Sequence, residues 1–396
     1  ANSVGAMKDI VCPHCKAFKF KGETSSSCCL EGKVKLPLFP APPKEVMDLL
    51  SPLDPNNLES RLYRQNIRSF NNALCMSSLV VNERQFSGWS PSVVFEGKVH
   101  QYIGPLETAD GERPVFAQLY VMDAQLETTT RFGNLTIPAG VPAQHKEVMR
   151  GILEEQQAVM HSVNPYVKDY RQIMEIPEDR LTGATLVLNA KTRPVGEHER
   201  RYNAPENLNE VSLCVGKGSP HDLVIAKRDD GRLQHVSMQN QNAMPLHFTV
   251  LFPYGTKGWH PDLKQSPGSQ KRCTCRDFTA YHLCCREEGV SLMIGGVSHP
   301  VPKNFLHCAG RLFQEWIIMQ WYIAEDMKLN WMALNQSKIR ADTRKNVRQY
   351  LQERASQGDV LYQDDHQPQL GRKILDKSVS GSPRWYNDHY LDAMAI

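Results

Sequence analysis

The sequence predicts an α+β protein, and three observations support this. Cysteine pairs cluster near the N-terminus, short β-branched and aromatic segments follow at about 92–137, and apolar residues recur at helical spacing from about 277 onward. The 396 residues are 41% hydrophobic, which excludes collagen-like, coiled-coil and wholly disordered chains. We expect an N-terminal knuckle, then a small antiparallel β-sheet domain, then a mainly helical C-terminal region.

The first cysteine cluster predicts a structural zinc site. It reads Cys12-Pro-His-Cys15, followed by the adjacent pair Cys28-Cys29. A CxxC turn places two thiolates on one side of a knuckle, and a second pair can complete a tetrahedral zinc shell. Because adjacent cysteines are awkward ligands for one ion, His14 or Glu23 remains an alternative fourth ligand. Four free thiols in a poorly ordered arm are the other interpretation. The predicted zinc ligands are Cys12, Cys15, Cys28 and Cys29.

A second cysteine-rich segment favours core packing over metal binding. It contains Cys273, Cys275, His282, Cys284 and Cys285. Its helical periodicity places the last cysteine on an apolar face with two aromatic residues, and buried cysteine is a common small core residue. The odd total of 11 cysteines fits a reducing compartment better than a disulfide framework.

The elements between the clusters follow from residue spacing. Residues 36–43 are proline-rich and cannot form a helix. Recurrent apolar positions predict helices at 44–50, 58–79, 145–163, 166–174, 277–286 and 305–335. Runs of β-branched and aromatic residues predict strands at 92–103, 114–121, 131–137, 186–188, 211–215, 222–226 and 247–252. The sheet at 92–137 is either a nucleic-acid-binding barrel or a plain meander.

These elements divide the chain into five segments. They are a zinc-knuckle-like segment at 1–40, a helix with a small antiparallel sheet at 41–138, a mixed α/β segment at 139–255, a basic loop at 256–276 and a helical region at 277–396.

Local basic clusters, rather than the net charge of +3, predict nucleic-acid contacts. In the basic loop, cations flank an aromatic residue, a combination suited to phosphate contact and base stacking, although a solvated linker is the alternative. Residues 337–351 hold five cations against one acid, the densest basic footprint in the chain. A third stripe, Arg61, Arg64 and Arg68, is weaker. The predicted contacts are Lys257, Trp259, Lys271, Arg272, Lys338, Arg340, Arg344, Lys345 and Arg348.

Motifs for catalysis and nucleotide binding are missing from the sequence. It has no GxxxxGK[ST], HExxH or GxSxG pattern, and no two histidines are separated by a single residue. No apolar run approaches the length of a membrane-spanning helix, and the N-terminus lacks a signal-peptide core. We therefore expect a soluble intracellular protein with no membrane partner and no nucleotide site.

Several phrases, taken in order, resemble the N-terminal half of Helitron transposases, the replicase-helicase proteins of eukaryotic rolling-circle transposons. The phrases are the cysteine knuckle, Asn66–Leu74, Glu112–Tyr120, His247–Gly255, Gly258–His260, Gly310–Gln314, Gly381–Arg384 and Asp392–Ala395. The resemblance covers nearly the whole chain, and 277–396 looks like the start of the Helitron helicase-like domain. It implies a nuclear protein that binds DNA, with a preference for single strands.

The resemblance also implies where catalysis would lie. The family's histidine–hydrophobic–histidine nicking motif, nucleophilic tyrosines and helicase motifs would follow residue 396, so we expect no turnover from this chain alone. Tyr386 and Tyr390 are spaced as paired nucleophiles would be, but lack histidine partners and are interpreted as structural. The prediction is a truncated DNA-binding fragment. A non-catalytic scaffold and a truncated gene model of a full nicking helicase are the alternatives, and the oligomeric state is left open.

Overall fold

The computed structural model describes residues 10–51, 56–83, 95–104, 106, 108, 111–174, 184–188, 212–215, 223–226, 234–294 and 297–335. It divides into two compact units, Ala1–Gln320 and Trp321–Ile396. The architecture is mixed, with long helices and small antiparallel sheets, as the predicted α+β class requires.

Helices form most of the regular structure in the described residues. They are α1 (Lys44–Leu50), α2 (Leu58–Gln65), α3 (Ile67–Leu74), a 3₁₀ helix (Phe116–Val121), α4 (Ala124–Asn134), α5 (Ala143–Val163), α6 (Pro165–Met174), α7 (Ala243–His247), α8 (Cys275–Leu283), α9 (Phe305–Cys308) and α10 (Gly310–Leu334). Seven apolar or amide residues of α5 are buried along one face, as its spacing predicts.

The strands pair only antiparallel in the described residues. They are β1 (Ile10–Val11), β2 (Phe18–Lys19), β3 (Ser78–Glu83), β4 (Phe95–Ile103), β5 (Ala184–Leu188), β6 (Ser212–Val215), β7 (Leu223–Ala226), β8 (Gln234–Val236), β9 (Glu287–Ile294) and β10 (Val297–Lys303). The sheets have the orders β1-β2, β3-β4-β8, β6-β5-β7 and β10-β9.

Three predicted strands are wrong. Residues 114–121 hold the 3₁₀ helix, and most of 131–137 lies in or just after α4. Residues 247–252 end α7 and continue as a turn, in which the Phe252 N–H donates to the Phe248 carbonyl at 3.0 Å. All three segments are short, and residues 247–252 are buried on every side, which removes the alternation that separates strand from helix.

The predicted helix at 58–79 is broken at Asn66. The backbone N–H and the side-chain amide of Asn66 both donate to the Leu62 carbonyl, at 3.1 and 2.9 Å. This residue closes α2 and precedes α3, and both helices place aromatic residues in the core. Tyr63 and Phe70 are fully buried there, with ring centroids 5.0 Å apart.

An ion pair lies inside the first unit with no exposure to solvent. The Glu127 carboxylate accepts from Arg131 Nε at 2.9 Å and lies 2.8 Å from Arg131 Nη2, and both side chains are 0% exposed. Arg131 also donates to the Ala73 carbonyl and stacks 4.0 Å from the centre of the Tyr120 ring. The other carboxylate oxygen of Glu127 lies 2.8 Å from Nε2 of His161. One turn of α4 therefore holds a charge pair that joins α3, α5 and the 3₁₀ helix.

A second carboxylate in the core engages Arg68, a member of the weaker basic stripe on 58–79. Glu315 lies 2.7 Å from Arg68 Nε and 3.3 Å from His247 Nε2. Burial raises the pKa of Glu315, but its contacts with His247 and Arg68 outweigh burial and hold that pKa below its ordinary value. Arg68 is thus occupied by an internal partner, and the predicted basic stripe on 58–79 loses a member.

Asp169 on α6 predicts a pH-dependent stability. Its side chain is buried, and burial raises its pKa to about 7. The folded chain therefore holds this proton more tightly than the unfolded chain, so stability is fully present below about pH 4 and falls as pH rises through about 7. We expect Asp169→Asn to raise the free energy of unfolding by about 2 kcal/mol at pH 8 and by little at pH 4.

Urea unfolding at the two pH values measures this effect. The matched control is Asp48→Asn on the surface of α1, where the carboxylate pairs with Lys44 in solvent and no comparable pH dependence is expected. An equal gain for Asp169→Asn at both pH values would contradict the assignment.

Candidate metal centre and basic surface

The CxxC segment forms a tight turn between β1 and β2. The Cys12 N–H donates to the Ala17 carbonyl at 2.8 Å, and the Lys16 N–H donates to the Cys12 carbonyl at 3.0 Å. Lys16 has a φ of 62°, a left-handed conformation that reverses the chain directly after Cys15. The turn therefore places both sulfurs on the same side of the hairpin.

The second cysteine pair is held by a run of three left-handed residues. Leu30, Glu31 and Gly32 have φ values of 48°, 56° and 84°. This curl returns the Gly32 N–H to Cys29 Sγ, to which it donates at 3.2 Å. A Cβ at Gly32 would lie 3.0 Å from the His14 ring, so both the backbone conformation and the space favour glycine.

The four sulfurs of the predicted zinc ligands come together. The sulfurs of Cys12, Cys15, Cys28 and Cys29 all lie within 4.8 Å of one another, so the group could hold a metal ion. The Cys12–Cys29 and Cys28–Cys29 sulfur distances are both 3.8 Å. A tetrahedron with Zn–S bonds of about 2.3 Å has edges of about 3.8 Å, so the spacing fits four thiolates around one ion. Adjacent cysteines are therefore compatible ligands here.

The alternative fourth ligands lie outside this group of sulfurs. Glu23 accepts from the Phe20 N–H at 3.0 Å and from the Ser27 hydroxyl at 3.1 Å, so its carboxylate closes a turn. His14 is exposed and packs beside Gly32. In the described part of the chain, the group of side chains that could hold a metal ion is the cysteine quartet, Cys12, Cys15, Cys28 and Cys29.

The thiols of the quartet differ in acidity. Burial raises the pKa of Cys12, but the N–H groups of Cys15 and His14 and the neighbouring thiols outweigh it and lower that pKa to about 6. Burial and neighbouring thiols raise the pKa of Cys28 and of Cys29. The lowered pKa of Cys12 favours its thiolate, which is the form that binds a metal cation.

The knuckle, defined here as residues 10–35, docks on a distant part of the sequence. The Phe18 N–H donates to the Cys285 carbonyl at 2.8 Å, and the Lys35 N–H donates to the Gln265 carbonyl at 2.7 Å. Arg286 stacks 4.0 Å from the centre of the Tyr281 ring and extends one guanidinium nitrogen to 3.8 Å from Cys15 Sγ. The knuckle is therefore part of the first unit and not a free arm.

The second cysteine-rich segment is part of the core. Cys273 and Cys275 are buried, and the Cys275 thiol faces the Gln320 backbone carbonyl at 3.6 Å. Burial raises the pKa of both thiols to about 12. Cys285 Sγ lies 3.6 Å from Nδ1 of His307. This burial agrees with the predicted core packing.

The structure separates the predicted nucleic-acid contacts. Trp259 is only 4% exposed and donates through Nε1 to the Cys273 carbonyl at 2.8 Å, so its ring offers no face to a base and the predicted stacking does not fit. Lys257 is half-buried, and burial lowers its pKa. Lys271 and Arg272 are exposed. The remaining predicted contacts lie outside the described residues; they are Lys338, Arg340, Arg344, Lys345 and Arg348.

Three exposed lysines near the knuckle were not among the predicted contacts. Lys33 and Lys35 flank the buried Val34 on the extended chain after the cysteine quartet, and Lys264 lies across from Arg272. The alternating Lys-Val-Lys sequence was a usable signal for the first two. The pairing of Lys264 needs the hairpin register, which spacing alone does not give.

In the part of the chain that the structure describes, no helix is long and apolar enough to cross a bilayer. Residues 292–396 match a family described as the Helitron helicase-like domain at N-terminus. No curated protein sequence matches the chain significantly. The family match confirms the resemblance over residues 292–396 and is consistent with the N-terminal region of a Helitron helicase, while the resemblance of residues 1–291 stays a prediction.

Proposed function

We propose that the chain is the DNA-binding N-terminal region of a Helitron-type helicase, with a preference for single strands and residence in the nucleus. The observation that carries the proposal is the concentration of positive charge where two distant segments meet. The knuckle has five lysines against two glutamates, and residues 257–286 have six Lys and Arg against two aspartates. Hydrogen bonds from Phe18 and Lys35 join these segments, although the whole chain carries only +3.

The ion in the cysteine quartet is proposed to be zinc. Four thiolates within 4.8 Å of one another, with two sulfur–sulfur distances of 3.8 Å, suit a tetrahedral ion, and zinc is the usual occupant of closed Cys₄ sites. Its role would be structural because the quartet offers no open coordination position. The ion would fix the two turns that carry Cys12 and Cys29, and with them the position of the basic knuckle.

Residues 338–348 complete the proposed DNA-binding set. Their five cations are the densest basic cluster in the sequence, and they lie in the family-matched segment 292–396. Lys271 and Arg272 contribute from the exposed end of the basic loop. The chain is proposed to bind without turnover, since its sequence has neither a phosphate loop nor a paired-histidine motif.

A salt titration tests the proposal. We expect the purified chain to bind fluorescent single-stranded DNA more tightly than duplex, with log Kd rising linearly with log salt because each neutralised phosphate releases counterions. Neutralising Arg344, Lys345 and Arg348 should lower the slope by roughly 2 if all three contact phosphates on a single strand. The measurement is fluorescence anisotropy between 50 and 300 mM salt, with the duplex of the same sequence run in parallel.

The alternative is a non-catalytic scaffold that does not bind DNA. A folded, metal-loaded chain that shows no salt-sensitive affinity for either DNA form would favour the scaffold and reject DNA binding. Equal affinity for both forms would reject the single-strand preference alone.

A further inference from the structure

A short hairpin next to the knuckle places like charges opposite each other. Residues 263–273, the basic hairpin, are held by the Gln265 N–H donating to the Lys271 carbonyl at 3.0 Å and the Cys273 N–H donating to the Leu263 carbonyl at 2.7 Å. This register makes Lys264 and Arg272 direct cross-strand partners. Directly opposed residues project from the same face of a hairpin, so two cations share that face.

This arrangement is unfavourable for the isolated chain. Like charges directly opposite each other destabilise a strand pair. Asp262 offsets the repulsion only weakly, because its carboxylate lies 3.3 Å from the Arg272 guanidinium in an exposed pair. A local rule broken at an exposed position, without an evident gain in packing, is typical of a binding site.

The knuckle brings further cations to the same place. The Lys35 N–H donates to the carbonyl of Gln265, the residue next to Lys264. On the extended chain, Lys33 and Lys35 flank the buried Val34 and are both exposed. Val34 itself is tied back to the metal cluster, since its N–H donates to the Cys29 carbonyl at 3.0 Å. The position of these lysines therefore depends on the cysteine quartet.

We propose that Lys33, Lys35, Lys264 and Arg272 form one composite site for the phosphate backbone of nucleic acid, assembled from two segments more than 200 residues apart and held in place by the metal. This inference rests on the proposed DNA binding and names a surface for it. The occupant is the nucleic-acid backbone, because several neighbouring cations match the repeated negative charges of its phosphates. Base contacts are not expected here, since the nearby Trp259 is buried.

The test compares two triple variants of the full chain with equal loss of charge. The site variant is Lys35→Gln, Lys264→Gln and Arg272→Gln. The control variant is Lys44→Gln, Lys146→Gln and Lys168→Gln, which removes three exposed cations from α1, α5 and α6. On single-stranded DNA we expect the site variant to bind about 10- to 100-fold more weakly at low salt and to lose roughly 2 from the salt slope, and the control to change little.

Metal content and urea midpoints are measured on the same samples, so that a folding defect is recognised. A gain of stability in the site variant, from the relief of Lys264–Arg272 repulsion, would support the surface independently of DNA. Equal loss of binding in both variants would overturn the composite site while leaving DNA binding intact. No binding by the unmodified chain would instead overturn the proposed function. Equal affinity for polyglutamate of matched charge would overturn the phosphate assignment.

Discussion

Replacing Cys29 with serine is expected to abolish metal binding and to release the knuckle from the first unit. Cys29 Sγ lies 3.8 Å from the sulfurs of both Cys12 and Cys28, so the substitution removes one of the four thiolates from the cluster. A segment of about 30 residues buries too little apolar surface to fold alone, and structural zinc sites supply about 10–16 kcal/mol in comparable peptides. The measurements are elemental analysis by mass spectrometry and amide hydrogen exchange over residues 10–35.

Cys308→Ser is the matched control, because this partly exposed thiol lies outside the quartet and its contact with the Asn304 carbonyl is long, at 4.0 Å. The control should retain one ion per chain and full protection of the knuckle amides. A Cys29→Ser protein that keeps one tightly bound ion would reject the four-cysteine site. Iron in place of zinc would reject the identity of the ion and leave the site itself standing.

Replacing Glu127 with glutamine is expected to cost about 3–5 kcal/mol of unfolding free energy, because it leaves the Arg131 charge buried without a counter-charge. Both side chains are 0% exposed, and Glu127 is also the partner of His161. The substitution keeps the shape of the side chain, so the effect reports charge and not a cavity. Urea unfolding followed by tryptophan fluorescence measures the change in midpoint and slope.

The exposed pair Arg150–Glu154 gives the control. It has the same i,i+4 spacing at 3.5 Å, but its side chains are 39% and 55% exposed, so Glu154→Gln should cost less than about 0.5 kcal/mol. The apolar double variant Glu127→Leu with Arg131→Met should be more stable than Glu127→Gln alone, because no charge then remains buried. Similar costs for Glu127→Gln and Glu154→Gln would show that burial does not set the strength of the pair.

The elements predicted correctly are those in which the helical recurrence of apolar residues extends over enough turns to exclude a strand. Helix α5 was expected at 145–163 and runs from Ala143 to Val163. The same logic failed at 131–137, where β-branched residues suggested a strand. Helix α4 covers 131–134 there, and the Glu127–Arg131 pair lies one helical turn apart on it. The contacts of this pair with Ala73, Tyr120 and His161 involve other elements, and such tertiary contacts override local propensity and leave no periodic trace.

The candidate site also has parts that residue spacing predicts and parts that it does not. The four cysteines were identified from spacing because thiolates near one another in sequence need only tight turns to meet. The docking of the knuckle was not foreseen, since it joins Phe18 to Cys285 through backbone groups that carry no side-chain signal. The burial of Trp259 was missed for a related reason. The basic loop was expected to be exposed throughout, whereas the Trp259 indole N–H donates to the buried Cys273 carbonyl.

The docking of the knuckle joins two segments that are synthesised at different times. Arg286 and Cys15, which touch in the folded unit, are separated by 271 residues in the chain. At about 5–20 residues per second, the knuckle emerges from the ribosome roughly 15–50 seconds before its docking partner exists. For that interval its thiols can take up an ion, but its inner face has nothing to cover it. The backbone hydrogen bonds from Phe18 to Cys285 and from Lys35 to Gln265 can therefore form only after the later segment has been synthesised.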